Sequence, residues 1–219
     1  MELTSITARD LSEAWFLCLK AALASKREYT IERGSYVGQK RREIEFITLN
    51  VIHPGTRPIV PDTPPGIPPP SSMKYIEEYL PYLMTDKIKP NEQYTYGMYL
   101  QDQIAEVIRM YQDDGFHTNQ ACMVVGEPKC IYMSDPPCLR QIDTRIENSG
   151  LNRYRLNFYV YFRSWDLWAG FPSNLAALQL LKEYMADEIG VEDGELVACS
   201  KGLHLYDYSW DSAKAVVNR

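Results

Sequence analysis

Eight of the fourteen prolines in this 219-residue chain fall between residues 54 and 70. Proline fixes φ and offers no backbone N–H, so this stretch can be neither a helix interior nor a central strand. It could serve as a proline-rich peptide ligand. Periodic segments flank it on both sides, however, and long connections run over the surface. Residues 54–70 are therefore expected to form a surface loop within one folded unit covering 1–219. The secondary structure must come from what lies on either side.

The flanking segments read as both helix and strand. Asp10 is placed to cap a helix over residues 11–23. Residues 43–52 alternate like a half-buried strand. Residues 73–84 read as a helix with Pro81 near its end. A stronger helix spans 98–113, with apolar residues at 100, 104, 107, 108 and 111, and Asp114-Gly115 ends it. Residues 121–125, 139–146 and 153–163 read as strands. In the last of these Tyr154, Leu156, Phe158, Val160 and Phe162 share one side. Pro172 opens a helix that Gly190 closes. A strand over 195–206 and a helix from Ser209 complete the chain. Strands and helices do not alternate strictly, so the expected class is α+β (α/β-like), a single domain with a mixed sheet flanked by helices.

Composition narrows the function classes. A hydrophobic fraction of 45% and a charged fraction of 24% are those of an ordinary globular protein. A net charge of −6 argues against a protein that coats nucleic acid, though not against a small basic pocket for one phosphate. No apolar run reaches bilayer-spanning length and no secretory signal is visible, which reads as cytoplasmic with no membrane partner. The five cysteines are scattered, with no C-x-x-C, so neither a zinc site nor a disulfide framework is expected. There is no P-loop and no dinucleotide fingerprint, hence no NAD site.

The residues able to do chemistry lie in the second half. Cys138 follows Asp135-Pro136-Pro137, a stiff turn that would fix a thiol at a strand edge; read alone, it is an ordinary buried cysteine. Arg163 ends a strand beside Ser164. Its fork of donors suits a phosphate, and its charge would favour a nearby thiolate. Asn174, in the first turn of the Pro172 helix, carries a donor and an acceptor side by side, which match the N–H and carbonyl of uracil. Cytosine would suit an Asp there. His204 and Tyr206, at i and i+2 of a strand, share a face and could meet a sugar hydroxyl, or simply form a polar outer face.

The order of these residues is more specific than any one of them. Pro137-Cys138, then R-S-x-D-x-x-x-G-x-P-x-N from Arg163 to Asn174, then His204-Leu205-Tyr206 resembles the thymidylate synthase family, most closely its short archaeal-type members. A weaker match covers Arg33-Gly34 and Tyr96-Gly97. The resemblance implies that Cys138 attacks C6 of the pyrimidine of dUMP. Arg33, Arg163 and Ser164 would hold the 5′-phosphate, and Arg163 would also polarise the thiol. Asn174 would read the uracil edge, and His204 and Tyr206 would bind the deoxyribose 3′-hydroxyl. Asp166 would contact the pterin, and Tyr96 would lie near the deprotonated C5. The co-substrate implied is 5,10-methylenetetrahydrofolate or a tetrahydromethanopterin analogue, with no metal. The partner implied is a second copy, a homodimer of sheets packed back to back through the tyrosine-rich strand 153–163.

The chain departs from the family pattern in four places. Leu139 stands where a His usually follows the nucleophile. Thr118-Asn119-Gln120 stands where many members carry an Arg-Arg pair that crosses the dimer to the phosphate; Arg140, Arg153 and Arg155 are candidate replacements. The sequence ends thirteen residues after Tyr206, where longer members continue to a segment that closes over the folate. The active-site Glu has no clear counterpart; Glu77 and Glu78 are nearest and read better as surface charges. These departures keep two alternatives open: a pyrimidine-nucleotide hydroxymethylase, in which water replaces hydride, and a non-catalytic nucleotide-binding relative.

Overall fold

A computed structural model describes residues 2–90 and 92–218. Its strands are β1 (Leu3–Ala8), β2 (Glu28–Thr30), β3 (Lys40–Ile44), β4 (Phe46–Val51), β5 (Cys122–Val124), β6 (Leu139–Asn148), β7 (Tyr154–Phe162), β8 (Trp165–Asp166), β9 (Glu192–Ser200) and β10 (Leu203–Tyr206). The α-helices are α1 (Leu11–Ala24), α2 (Met73–Met84), α3 (Gly97–Asp113), α4 (Gly170–Ile189) and α5 (Trp210–Val217). The class is α+β, as expected. The strands form two mixed sheets rather than one: a six-stranded sheet in the order β1-β4-β9-β7-β6-β5 and a four-stranded sheet in the order β2-β3-β10-β8.

The division into two sheets explains two differences from the sequence reading. The expected strand over 43–52 breaks at Glu45, and the expected strand over 195–206 breaks at Lys201-Gly202. Each break carries the chain between the two sheets, from the small one into the large at Glu45 and from the large one into the small at Lys201-Gly202. The two breaks lie side by side, because β4 pairs antiparallel with β9 and β3 with β10, and the Gly202 N–H donates to the Glu45 carbonyl at 3.3 Å. Gly202 has φ +84°, and a β-carbon there would sit 2.9 Å from a Glu43 carboxylate oxygen, so both backbone and space require glycine. The alternation of buried residues changes phase by one at each bend, from Ile44 to Ile47 and from Ala198 to Leu203, as a change of sheet requires.

The helices form for the reasons their sequences give. Asp10 accepts the Glu13 N–H at 2.9 Å and caps α1. Ser72 caps α2 in the same way, and Pro81 is tolerated in the last turn, where the only ladder bond lost is the one its missing N–H would make. α4 starts two residues before Pro172 and ends at left-handed Gly190, φ +81°. It runs through the middle of the helical layer, with Leu175, Ala176, Ala177, Leu178 and Leu181 buried against α1, α2, α3, β7 and β9. On the sheet side it meets Leu156, Phe158, Val160 and Phe162, the apolar face expected for β7. The opposite face of β7 presents Tyr159 and Tyr161, half-buried, beside exposed Gln141 and Arg145 of β6.

Residues 53–72 contain no helix or strand, as the prolines require. The segment is not loose, however: Ile59 is fully buried in the core, and Pro54 and Pro61 are buried too. No helix among the described residues is long and apolar enough to cross a membrane.

Candidate active site

A cavity of about 610 Å³ lies between the small sheet, the loop after β2 and the turn before β6. The small sheet lines it with Arg41 (β3), Asp166 (β8), His204 and Tyr206 (β10). The end of β7 contributes Arg163 and Ser164, the turn before β6 contributes Cys138, and the loop after β2 contributes Arg33. Seven of the nine sequence-derived site residues thus face one space, although they are spread over 174 positions from Arg33 to Tyr206. Tyr96 and Asn174 stand outside this lining.

Cys138 is held by the turn that precedes it. Arg163 donates from Nε to the Pro137 carbonyl at 3.1 Å and from Nη2 to the Pro136 carbonyl, and it meets Asp135 Oδ1 at 3.4 Å. Its own backbone N–H donates to the Cys138 carbonyl at 2.9 Å. Two successive prolines have no N–H to fold back with, so their carbonyls need an outside donor, and Arg163 supplies it. Burial pushes the thiol above its ordinary value. The charges of Arg163 and Arg41 pull it down, while those of Asp135 and Asp166 push it up. The expected help from Arg163 is present, but burial outweighs it.

Leu139, in the place of the usual His, is buried in the core. The Tyr96 hydroxyl accepts its backbone N–H at 3.4 Å, one residue from the thiol. Tyr96 is buried in a run of rings in which it meets Tyr82 edge-on at 5.1 Å, and Tyr82 stacks on Tyr79 at 5.4 Å. Burial holds these phenols well above their usual range, so they act as neutral hydroxyls.

Asn174 is oriented by the same run. Its Nδ2 donates to the Tyr79 hydroxyl at 2.9 Å, and its Oδ1 accepts from Trp165 Nε1 at 3.0 Å. One N–H and one lone pair remain, so the amide can still offer a donor–acceptor pair. A methyl group at Gly170 would lie 3.4 Å from Asp166 Cβ and 3.7 Å from Asn174 Oδ1, so these two side chains flank the start of α4. Asp166 accepts the N–H of Trp168 at 3.0 Å and those of Ala169 and Gly170 at 3.4 Å, serving the helix start as well as the cavity. Burial raises its carboxyl, and those N–H groups and Arg41 offset part of the rise.

His204 and Tyr206 do share a face, with ring centroids 4.7 Å apart, but both are buried rather than on a polar exterior. His204 Nδ1 is 2.9 Å from the Gly202 carbonyl, which requires Nδ1 to carry the proton. Nε2 is buried with no partner among the described residues, an acceptor waiting for a hydroxyl. Burial and Arg41 push the imidazole down from 6.5 to about 3, so it stays neutral across the physiological range. A histidine that protonates more easily unfolded than folded destabilises the fold as pH falls from 6.5 toward 3. The contribution is at most about 1.4 kcal/mol per pH unit. Urea melts between pH 7 and 5 are expected to show a steeper loss for wild type than for His204→Gln.

Several contributors were not legible in the sequence. Arg41 is the chief one, since its place depends on the register Tyr206↔Arg41 between β10 and β3. Tyr79 and Asp135 are others. Glu77 and Glu78 are exposed on α2, away from the cavity lining. Arg153 and Arg155 pair with Glu192 at 2.7 and 3.3 Å, and Arg140 lies against Gly126; none of the three lines the cavity.

The site motif and its geometry agree with the family comparison. The family model described as "Thymidylate synthase" matches residues 88–219, well over half of the chain. The chain belongs to the thymidylate synthase family. Members of this family are methyltransferase-type enzymes that act on dUMP with a folate-type co-substrate. Among its relatives, a Methanosarcina mazei protein named "Putative thymidylate synthase" is 29% identical over 97% of this chain and 94% of its own length. One of the same name from Methanothermobacter marburgensis is 25% identical over 97% of each chain. The thymidylate synthase of Listeria monocytogenes is 29% identical over 54% of this chain and 36% of its own. The thymidylate synthase match begins just before Tyr96 and takes in Cys138, the Arg163–Asn174 motif and the His204/Tyr206 pair.

Proposed function

We propose that this chain is itself a thymidylate synthase, converting dUMP to dTMP with a reduced pterin co-substrate. One observation carries the reading. The single thiol on the cavity wall, Cys138, shares that wall with Arg163, Ser164, Asp166, His204 and Tyr206, so the groups needed at opposite ends of a pyrimidine deoxynucleotide converge on one space. Covalent attack by a thiolate at C6 turns C5 into a nucleophile that water or an amine could not so readily create. Arg163 fixes the turn that presents the sulfur and, with Arg41, favours its ionised form. Asn174 keeps a donor and an acceptor for the uracil edge. The neutral Nε2 of His204 accepts from the 3′-hydroxyl, and the Tyr206 hydroxyl stands beside it. The neutral phenol of Tyr96, bonded to the Leu139 N–H one residue from Cys138, is assigned to the proton loss at C5.

A pterin fits this wall in kind. A buried carboxylate, Asp166, can accept from ring N–H groups, and the rings of Tyr36 and Tyr132 stand at the mouth. When bound, the reduced pterin supplies the one-carbon unit and the hydride. The tyrosine run from Tyr79 to Tyr96 limits water behind the thiol. The reading calls for no nicotinamide and no metal. It places the enzyme in the cytoplasm as one catalytic unit over 1–219. Two copies would pack through the β7 face that carries Tyr159 and Tyr161.

The products test it. Incubation of the protein with methylenetetrahydrofolate, or with its methanopterin counterpart, is expected to yield dTMP from dUMP and no product from dCMP. Formation of a 5-hydroxymethyl nucleotide without dTMP would assign water capture instead.

A further inference from the structure

Arg41 has no ion-pair partner among the described residues, although its charge reaches the Asp166 carboxyl on the same cavity wall. Its neighbours in the small sheet are paired: Arg42 with Glu28 at 3.0 Å, and Arg27 with Glu43 at 3.0 Å. Arg41 touches no carboxylate among the described residues. Its hydrogen bonds are to two phenols, Tyr206 Oη at 3.1 Å from Nη2 and Tyr29 Oη at 3.5 Å from Nη1, and its Nε is buried with no partner among the described residues. A half-buried guanidinium in this position gains little from neutral hydroxyls and calls for an anion.

The guanidinium is also held in place. It lies over the Tyr206 ring at 5.1 Å from the centroid, on a strand paired to β10 at that same residue. From there it faces two spaces. One is the cavity of Cys138. The other, about 490 Å³, also bears Arg163, Ser164, Lys201 and Tyr29, with Arg27 beside the two carboxylates it pairs with, Glu43 at 3.0 Å and Glu45 at 3.9 Å. Arg41, Arg163 and Ser164 form the wall common to both.

Arg163 cannot serve that wall alone. Its Nε and Nη2 are engaged by the Pro136 and Pro137 carbonyls and Asp135, which leaves only Nη1 for a ligand. A phosphate monoester carries nearly two charges at neutral pH and accepts several hydrogen bonds, more than the two N–H groups of Nη1 supply.

We infer that Arg41 is a further cation of the nucleotide's 5′-phosphate subsite, beside Arg163 and Arg33 and contributed by the same chain that holds Cys138. The anion site is then completed within one chain, in place of an arginine pair from the partner. The inference rests on the reading of this cavity as a nucleotide site, but not on the reaction carried out there.

The test compares ligands that differ only in the phosphate. Calorimetric dissociation constants for dUMP, deoxyuridine and inorganic phosphate are measured on wild type, Arg41→Gln and Arg41→Lys. Arg41→Gln keeps donors for the two phenols but loses the charge. It is expected to weaken dUMP and inorganic phosphate by about 10- to 100-fold, as for loss of a charge-assisted hydrogen bond, and to leave deoxyuridine within twofold. Arg41→Lys is expected to restore part of the loss. dUMP binding within twofold of wild type in Arg41→Gln would overturn the inference. So would an equal loss for dUMP and deoxyuridine, which marks a purely structural role. If phosphate and dUMP depend on Arg41 while no C5 chemistry occurs in wild type, the inference stands and the synthase reading falls.

Discussion

Replacing Cys138 with alanine is expected to lower kcat for dTMP formation by at least about 10⁴-fold, the scale on which a covalent nucleophile matters. The fold should be unaffected. The thiol is only half-buried, makes no hydrogen bond among the described residues, and sits in a turn held by Arg163 through backbone carbonyls. Loss of one sulfur from such a site costs about 1 kcal/mol or less. Nucleotide binding should survive too, since Arg163, His204 and Tyr206 are untouched. Retained dUMP affinity with abolished turnover separates a lost nucleophile from a collapsed site, and calorimetry beside steady-state rates measures both.

The largest expected effect on stability lies elsewhere. Lys182 is fully buried in α4, yet it carries an ammonium. The Nζ donates to the Gly194 carbonyl and to the Glu195 carbonyl at 3.1 Å, and it meets Asp193 Oδ1 at 3.2 Å. Gln179 bridges Asp193 at 2.8 Å and Glu183 at 2.9 Å, and Arg57 grips Glu183 at 2.7 Å. One lysine thus ties α4 to the start of β9 and, through Glu183 and Arg57, to the proline-rich segment. Lys182→Met would leave two buried carbonyls without donors, at a cost of about 3 kcal/mol. For a chain of this size that lowers Tm by roughly 10 °C. Burial pushes this lysine down from 10.5 to about 8. The unfolded chain binds the proton more tightly than the fold does, so the wild type gains stability as pH rises from about 8 to 10.5. Lys182→Met lacks that gain, and melts at pH 7 and 10 distinguish the two slopes.

The parts of the fold that were legible are those written in local chemistry. Asp10 caps α1, Gly190 ends α4, and the alternation Leu156, Phe158, Val160, Phe162 is the buried face of β7. The proline cluster excludes regular structure over 53–72, though it could not show that Ile59 anchors the segment in the core. What escaped was set by partners distant in the chain. β1 has an exposed Leu3 and gains its place only by pairing parallel with β4. β8 is two residues long and exists because β10 lies beside it. The bends at Glu45 and Gly202 shift the buried alternation by one residue, and it is the pairing of β3 with β10 and of β4 with β9 that separates the two sheets there.

The same division holds for the site. The motif from Arg163 to Asn174 kept its residues close because it is one strand end and one helix start. Arg140, Arg153 and Arg155, the replacements the sequence suggests for the arginine pair, lie away from the cavity with other neighbours. Arg41 lies in a run of three basic residues that reads as a polar connection. Only the β3–β10 register puts it opposite Tyr206. Asp166 and Asn174 show a further limit of motif reading, since both also hold the start of α4 and the Trp165 ring.

The central claim is that Cys138 adds to C6 and so makes C5 a carbon that can lose its proton. Release of tritium from [5-³H]dUMP in the presence of the pterin co-substrate reads that step directly, whatever captures the carbon afterward. Release is expected from the wild type and none above background from Cys138→Ala at equal nucleotide occupancy. No release by the wild type, or equal release by both proteins, would contradict it.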